Sequence, residues 1–202
     1  MLREGISSGG RKDVAETVQL EIAGICVEYR LGSGKLAREV RHDMGEFLSP
    51  NPAVLTLDLS PLQEHRATSW LPLTLTEEGN EFRVERHDLS CRIDLSSGTG
   101  SGVMAENMYA FGTFIRGLYS RLLLDRQGII LHASAVIRNG TAYAFTGRSG
   151  SGKTTIALIS PENRLITDEL LILRRGPDGE VLVCGTPFIG DSVQTGFNHQ
   201  QP

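Results

Sequence analysis

A glycine-rich loop between a strand-like run and a helix-like run constrains this 202-residue chain more than any other feature. Residues 147–154 have the sequence GRSGSGKT, which satisfies the Walker A pattern G-x-x-x-x-G-K-[ST]. The run TAYAFTG before the loop is typical of a strand, and KTTIALI after it indicates a short helix. The chain must therefore fold so that a strand, a tight loop and a helix follow one another directly.

Such a loop predicts a cradle for the phosphates of a nucleotide. Glycines allow the backbone to turn so that successive N–H groups point inward, and the helix that follows adds its positive end. Lys153 would reach the β- and γ-phosphates, and the hydroxyl of Thr154 would bind Mg²⁺. The predicted phosphate-binding residues are Gly147, Arg148, Ser149, Gly150, Ser151, Gly152, Lys153, Thr154 and Thr155.

A second stretch, GSGK at residues 32–35, looks similar but fails the pattern. Tyr29 occupies the position of the first glycine, and Leu36 replaces the hydroxyl residue that follows the lysine. This stretch is predicted to be an ordinary turn between a strand and a helix.

Phosphoryl transfer also needs an acidic group that holds the metal and a group that accepts a proton. Asp168 and Glu169 follow Lys153 by only 15 and 16 residues, at the end of the strand-like run RLIT. The loop helix and one turn use up that interval, so the acidic strand must follow the loop helix directly. The pair is interpreted as a metal-binding and catalytic site, the alternative being a solvated strand end.

His132 is the remaining catalytic candidate. It lies in IILHASAVI, which Asn139-Gly140 joins to the strand that enters the loop. Asn-Gly between two strand-like runs predicts a hairpin, so these two strands should be antiparallel. A histidine here could handle a proton near the phosphates, although a lone histidine on a strand is more often a structural residue.

The remaining patterns predict four segments. Residues 1–16 are expected to form a flexible tail, and residues 17–95 an antiparallel β-rich region with one inserted helix over 34–48. The composition SSGTGSG predicts a linker over 96–103. Residues 104–202 are expected to form an amphipathic helix and a nucleotide-binding domain. Within the β-rich region, the run VQLEIAGICVEYRL is expected to form one strand bent at Gly24.

Charge and composition limit the classes of partner and the cellular location that the sequence predicts. A net charge of −4 gives no electrostatic case for nucleic acid or an anionic membrane. No apolar run approaches the roughly 20 residues that cross a bilayer. The three cysteines are scattered and no secretory signal is recognisable, which predicts a cytoplasmic protein.

The pattern resembles the catalytic domain of HPr kinase/phosphorylase and related P-loop proteins. The resemblance lies in LHASAVIRNG, AFTGRSGSGKTTIAL and RLITDELLIL, in this order, and covers about residues 129–185. It implies an α/β fold with α+β character and a mixed-sheet P-loop domain of the phosphoenolpyruvate carboxykinase type. It also implies ATP- and Mg²⁺-dependent transfer to a serine of a carrier protein. Asp168 and Glu169 match the family's paired acids, and His132 matches its H-x-S-A histidine.

The chain also departs from that family. Thr155 stands where the family typically has an acidic residue, and the acid pair is Asp-Glu instead of Asp-Asp. The last stretch, GTPFIGDSVQTGFNHQQP, does not supply the family's further strands, helices and basic residue. The nucleotide domain is therefore expected to be incomplete, either truncated or completed by other chains, as in a homo-oligomer.

The sequence thus predicts a kinase-like phosphotransferase that acts on an unknown protein or small-molecule hydroxyl. Its catalytic residues would be Lys153, Asp168, Glu169 and His132, with Thr154 and Asp168 at the metal. Which acid acts as base is open. One alternative is a regulatory or inactive nucleotide-binding module. Another is carboxykinase-like chemistry on a small acid, for which only Arg148 is an obvious carboxylate-binding residue.

Overall fold

The computed structural model describes residues 15–62, 71–159, 164–188 and 200–201. They form a mixed α/β protein, mostly strands, with two sheets. The seven strands of the first sheet are β1 (Glu16–Ile22), β2 (Ile25–Leu31), β3 (Leu55–Pro61), β4 (Thr74–Glu78), β5 (Glu81–Arg86), β6 (Leu89–Asp94) and β7 (Thr99–Met104). The second sheet contains β8 (Ile129–Arg138), β9 (Thr141–Thr146), β10 (Arg164–Thr167), β11 (Leu170–Arg175), β12 (Val181–Cys184) and β13 (Gln200–Gln201). The helices are α1 (Gly34–Asp43), α2 (Met108–Leu122) and α3 (Lys153–Leu158), with 3₁₀ turns at Gly45–Phe47 and Leu124–Arg126.

The first sheet has the strand order β1-β2-β3-β7-β6-β5-β4 and is not wholly antiparallel, which corrects the prediction. Its centre pairs β2 with β3 and β3 with β7 in parallel. Parallel neighbours need a crossover connection, and α1 provides it between β2 and β3. Ser33 caps α1, since its hydroxyl accepts from the N–H of Leu36 at 3.4 Å. The GSGK stretch is therefore the strand-to-helix turn that the sequence predicts.

The run predicted as one bent strand over 18–31 is instead a hairpin. β1 and β2 pair antiparallel from Glu16↔Leu31 to Ile22↔Ile25. Ala23 and Gly24 form the turn with φ of 52° and 74°. Two successive residues of positive φ produce the turn that matches the twist of a tight hairpin. Alanine rarely adopts such a conformation, so no strong turn signal is present at these two positions of the sequence.

The segment predicted as a linker, 96–103, is largely β7 and lies in the middle of the first sheet between β3 and β6. Its glycines permit close packing instead of flexibility. A Cβ on Gly100 would come within 2.7 Å of the carbonyl oxygen of Arg92 and of Leu57 Cδ2. The segment is thus a strand that completes the first sheet and not a flexible linker.

Helix α2 confirms the predicted amphipathic helix, with a later start. Asn107 caps it by accepting from the N–H of Ala110 at 2.9 Å, while Met104 still belongs to β7. Against the first sheet, the Tyr119 hydroxyl donates to the carbonyl of Ile25 at 3.0 Å. Toward the second sheet, Arg116 lies over the ring of Phe188 at 4.9 Å. One buried apolar cluster includes residues of both sheets and of α2.

In the second sheet, β8 pairs antiparallel with β9 through the Asn139-Gly140 turn, as predicted. The preceding half of β8 pairs with β11, which continues antiparallel to β12. β10 runs along the later part of β8, so β10 and β11 follow β8 one after the other. The loop helix α3 thus leads directly to the strand before the acid pair.

Several predicted features lie outside the described residues. Of the predicted tail, residues 1–14 are not described, and Glu16 already begins β1. Residues 189–199, within the domain predicted to be incomplete, are not described either. None of the helices in the described ranges has the length and apolarity needed to cross a membrane.

Candidate functional site

The glycine-rich loop joins β9 to α3, as its sequence predicts. Gly150 and Gly152 have φ of 77° and 87°, a region that favours glycine. A Cβ on Gly147 would lie 2.7 Å from the hydroxyl oxygen of Ser151, so the loop closes tightly across its base. The N–H of Ser151 donates to the carbonyl of Arg148 at 3.1 Å. The loop is thus a compact turn that requires its glycines.

Lys153 is the first residue of α3 and is only 9% exposed. Its ammonium donates to the carbonyl oxygens of Gly147 and Arg148, at 3.0 and 3.2 Å. A buried ammonium needs such partners, and here they belong to the loop itself. The side chain of Thr154, the predicted metal ligand, lies outside what the structure describes.

The acid pair lies between β10 and β11, where the chain bends beside β8. The pairing register is the same on both sides, with Thr167↔Ala135 before the pair and Leu170↔His132 after it. By this register Asp168 stands opposite Ser134, and Glu169 stands opposite Ala133. The N–H of Ala133 donates to the carbonyl of Glu169 at 3.1 Å. The acids therefore follow directly the end of β10, as predicted, and the backbone of Glu169 is bonded to β8.

The two acids differ in exposure. Asp168 is only 5% exposed, whereas the side chain of Glu169 is 37% exposed. The Glu169 carboxylate lies 3.7 Å from Nε2 of His132, whose side chain is 53% exposed. His132 is thus a surface residue of the strand. A small side-chain movement would bring its ring within hydrogen-bond distance of the Glu169 carboxylate.

These residues surround one cavity of about 390 Å³. Thr155 and Glu169 belong to its wall, together with glycines of the loop. Arg148 is exposed and is not among the described residues of the wall. The described lining residues are His132, Ser149, Gly150, Gly152, Lys153, Thr155, Asp168 and Glu169. The fold thus gathers three segments that are separate in sequence: β8, the loop with the start of α3, and the acid pair.

The donor set fits a nucleotide with Mg²⁺ better than a metal alone. Within the described residues, no three His, Cys, Asp or Glu side chains are grouped to hold an ion. Mg²⁺ with a nucleotide is usually held by one or two carboxylates together with phosphate oxygens. Asp168 offers such a carboxylate in the same cavity as the loop and Lys153.

Sequence reasoning missed one residue of the site, Ser134. It is fully buried, and its hydroxyl donates to the backbone carbonyl of Lys153 at 2.7 Å. A small hydroxyl residue in an otherwise apolar strand, two positions after His132, was the available signal. Residues two apart on a strand share a face, so Ser134 and His132 lie on the same side of β8.

Comparison with known proteins adds no assignment: no protein-family model matches the chain, and no curated protein matches it significantly. The resemblance to HPr kinases therefore stays a prediction, and the interpretation of the site depends on its residues and geometry.

Proposed function

We propose that this chain is an ATP- and Mg²⁺-dependent phosphotransferase related to HPr serine kinases. It would act on a hydroxyl of an unknown protein or small molecule. The observation that carries the proposal is a single cavity lined by Gly150 and Gly152 of the Walker A loop, Lys153, both acids and His132. Each of these groups has a role in phosphoryl transfer, and they come from separate stretches of the sequence.

In this proposal the loop binds phosphates through its backbone N–H groups, and Lys153 supplies the positive charge. Its ammonium is already buried and held by two loop carbonyls, so little side-chain freedom is lost on binding. The remaining loop residues determine the shape of the cradle. Thr154 keeps its predicted place at the metal.

The different exposures of the two acids support different roles. Asp168 is buried in the cavity wall and would hold Mg²⁺, which neutralises charge on the transferring phosphoryl group. Glu169 reaches the solvent side of the cavity, where an acceptor hydroxyl would arrive, and would accept its proton. His132 would orient Glu169 and share that proton.

The experiment is a calorimetric titration of the protein with ATP, with and without Mg²⁺. The wild type is expected to bind with micromolar affinity only when Mg²⁺ is present. Lys153→Ala should bind at least about a hundredfold more weakly, because charge-assisted hydrogen bonds to phosphate are lost. The matched control is Lys35→Ala, since Lys35 also follows a Gly-Ser-Gly turn but is exposed and pairs with Glu39 at 3.7 Å. A folded wild type that does not bind ATP would contradict the proposal.

One observation favours a second candidate, a nucleotide-binding module without transfer. Among the described wall residues of the cavity, Lys153 is the only lysine or arginine. Phosphoryl transfer is usually assisted by a further cation besides the loop lysine and Mg²⁺. Incubation of the protein with MgATP separates the candidates. Formation of ADP that is lost in Glu169→Gln supports the phosphotransferase, and tight binding without any ADP supports the module.

A further inference from the structure

Ser134 forms a hydrogen bond that connects the loop helix to the second sheet. The residue is fully buried in the middle of β8, and its hydroxyl donates to the carbonyl oxygen of Lys153 at 2.7 Å. A carbonyl oxygen has two lone pairs, so it can accept this bond as well as one within the helix. The bond joins the first residue of α3 to the sheet without passing through the loop.

Three successive residues of β8, from His132 to Ser134, also lie beside the acid pair. The His132 ring faces the Glu169 carboxylate, and the N–H of Ala133 donates to the Glu169 carbonyl. Ser134 itself stands opposite Asp168 in the pairing register. One short piece of strand therefore contacts both the first residue of the loop helix and Glu169, and it runs beside Asp168.

We propose that Ser134 is a positioning residue for nucleotide binding. By fixing the backbone of Lys153 to β8, it sets the distance between the lysine and the acids across the cavity. The inference depends on the proposed function, because it takes Lys153 to be a phosphate-binding group. A role is thereby assigned to a buried residue that is not among the described lining residues of the cavity.

The physical reason is that the side chain of Lys153 is bound only to its own loop in the described contacts. Its ammonium donates to Gly147 and Arg148, so loop and lysine can shift together without breaking those bonds. Such a shift would break the hydrogen bond between the Ser134 hydroxyl and the Lys153 carbonyl. Leaving these buried groups without each other costs free energy, so the bond opposes the shift. Small displacements of a binding group reduce affinity strongly, since the contacts depend on distance.

The test is MgATP affinity, measured by calorimetry well below the unfolding temperature, for the wild type, Ser134→Ala and Ser134→Thr. We expect Ser134→Ala to bind roughly five- to tenfold more weakly, the equivalent of one net hydrogen bond. Ser134→Thr keeps the hydroxyl and should restore the affinity. The matched control is Thr186→Val, since the buried Thr186 hydroxyl donates to the carbonyl of Leu170 at 2.6 Å. This control should lower the unfolding temperature and leave the affinity unchanged.

Each result decides the inference. Wild-type affinity in Ser134→Ala overturns it, and so does equal weakening in the Thr186→Val control. Weak binding by both Ser134→Ala and Ser134→Thr would show that side-chain volume matters instead of the hydroxyl. A wild type that does not bind MgATP removes the proposed function, and the inference with it. If Ser134→Ala does not fold, Ser134→Cys preserves the volume with only a weak donor, and the same loss of affinity is expected.

Discussion

Gly102 illustrates how one residue can determine the packing of the whole first sheet. It lies in β7, and a Cβ there would come within 2.7 Å of Cys91 Cα and into the carbonyl oxygen of Ser90. Both neighbours belong to β6, which pairs with β7 at Cys91↔Gly102. Backbone atoms of a central strand cannot move aside without breaking ladder hydrogen bonds, so the position accepts only glycine.

We therefore expect Gly102→Ala to lower the free energy of unfolding by about 3 kcal/mol, because the added methyl overpacks the strand pair. Gly112→Ala is the matched control. Gly112 lies inside α2 with nothing within 4 Å of the added Cβ, so alanine should stabilise by about 0.5–1 kcal/mol. Urea unfolding measures both. Equal effects of the two substitutions would show that β7 is not held as tightly as its contacts indicate.

At this scale the sequence separated the two glycine–lysine stretches but misjudged the packing of single residues. The Walker A pattern distinguished Lys153 from Lys35, and the structure gives the two lysines different surroundings, one buried and one exposed. The glycines of β7 were misread because composition alone does not separate flexibility from close packing. Ser134 was missed for a similar reason: its role depends on which backbone atom lies beside it.

At the scale of elements, a buried ion pair fastens the turn between β5 and β6 to α2. The Arg86 guanidinium donates to both carboxylate oxygens of Asp88, at 2.6 and 2.7 Å, and their side chains are only 3% and 4% exposed. Arg86 also donates to the hydroxyl of Thr113 at 3.3 Å and lies over the ring of Tyr109 at 4.7 Å. Breaking such a pair leaves an uncompensated buried charge.

This pair predicts a pH dependence of stability. Burial alone would raise the pKa of the Asp88 carboxyl, but the hydrogen bonds and charge of Arg86 outweigh it and hold the pKa below its ordinary value. A carboxyl whose pKa is lower in the folded than in the unfolded protein stabilises the fold at pH values above its unfolded-state pKa. This stabilisation is lost as the pH falls through the folded-state pKa. Asp88→Asn should therefore cost about 3 kcal/mol at neutral pH, and the difference from wild type should shrink below about pH 4.

Urea unfolding between neutral and acidic pH measures that difference. The control is Asp58→Asn, because Asp58 is exposed and lies 3.8 Å from Arg30, a pair that contributes little. Its substitution should leave the free energy of unfolding nearly unchanged at every pH. A constant deficit for Asp88→Asn down to low pH would mean that the charge of Asp88 is not what stabilises the turn.

Local patterns predicted most elements but not how they pair. The β8–β9 hairpin, the short α3 and the helix α2 all follow from turn residues and apolar periodicity. The parallel pairing of β2, β3 and β7 joins strands that are distant in sequence, and no local pattern specifies it. The acid pair lies at the end of β10, as predicted, whereas its place beside β8 depends on a partner strand more than 30 residues earlier.

At the scale of the whole molecule, both sheets contribute to one large apolar cluster, and the second sheet also has a smaller buried cluster of its own. Ile172, Leu182 and Phe188 from the second half belong to the same buried cluster as the residues of β1–β3 and α2. The sequence predicted separate segments because a change of composition at 96–103 looked like a boundary. The buried residues do not divide at that change of composition, because α2 packs against residues of both sheets. The described parts of the chain should therefore unfold together, as one cooperative unit.

This shared core predicts that nucleotide binding stabilises strands far from the loop. At a hundredfold excess of MgATP over its dissociation constant, the free energy of global unfolding should rise by about 2.7 kcal/mol. Amides of β2 and β3 should then exchange hydrogen more slowly, to the same extent as the most protected amides of β8. Hydrogen-exchange mass spectrometry with and without MgATP measures this, and in Lys153→Ala the slowing should be at most about twofold in either sheet. Slowing confined to the second sheet, with clear ATP binding, would mean that α2 does not couple the two halves and that they unfold separately.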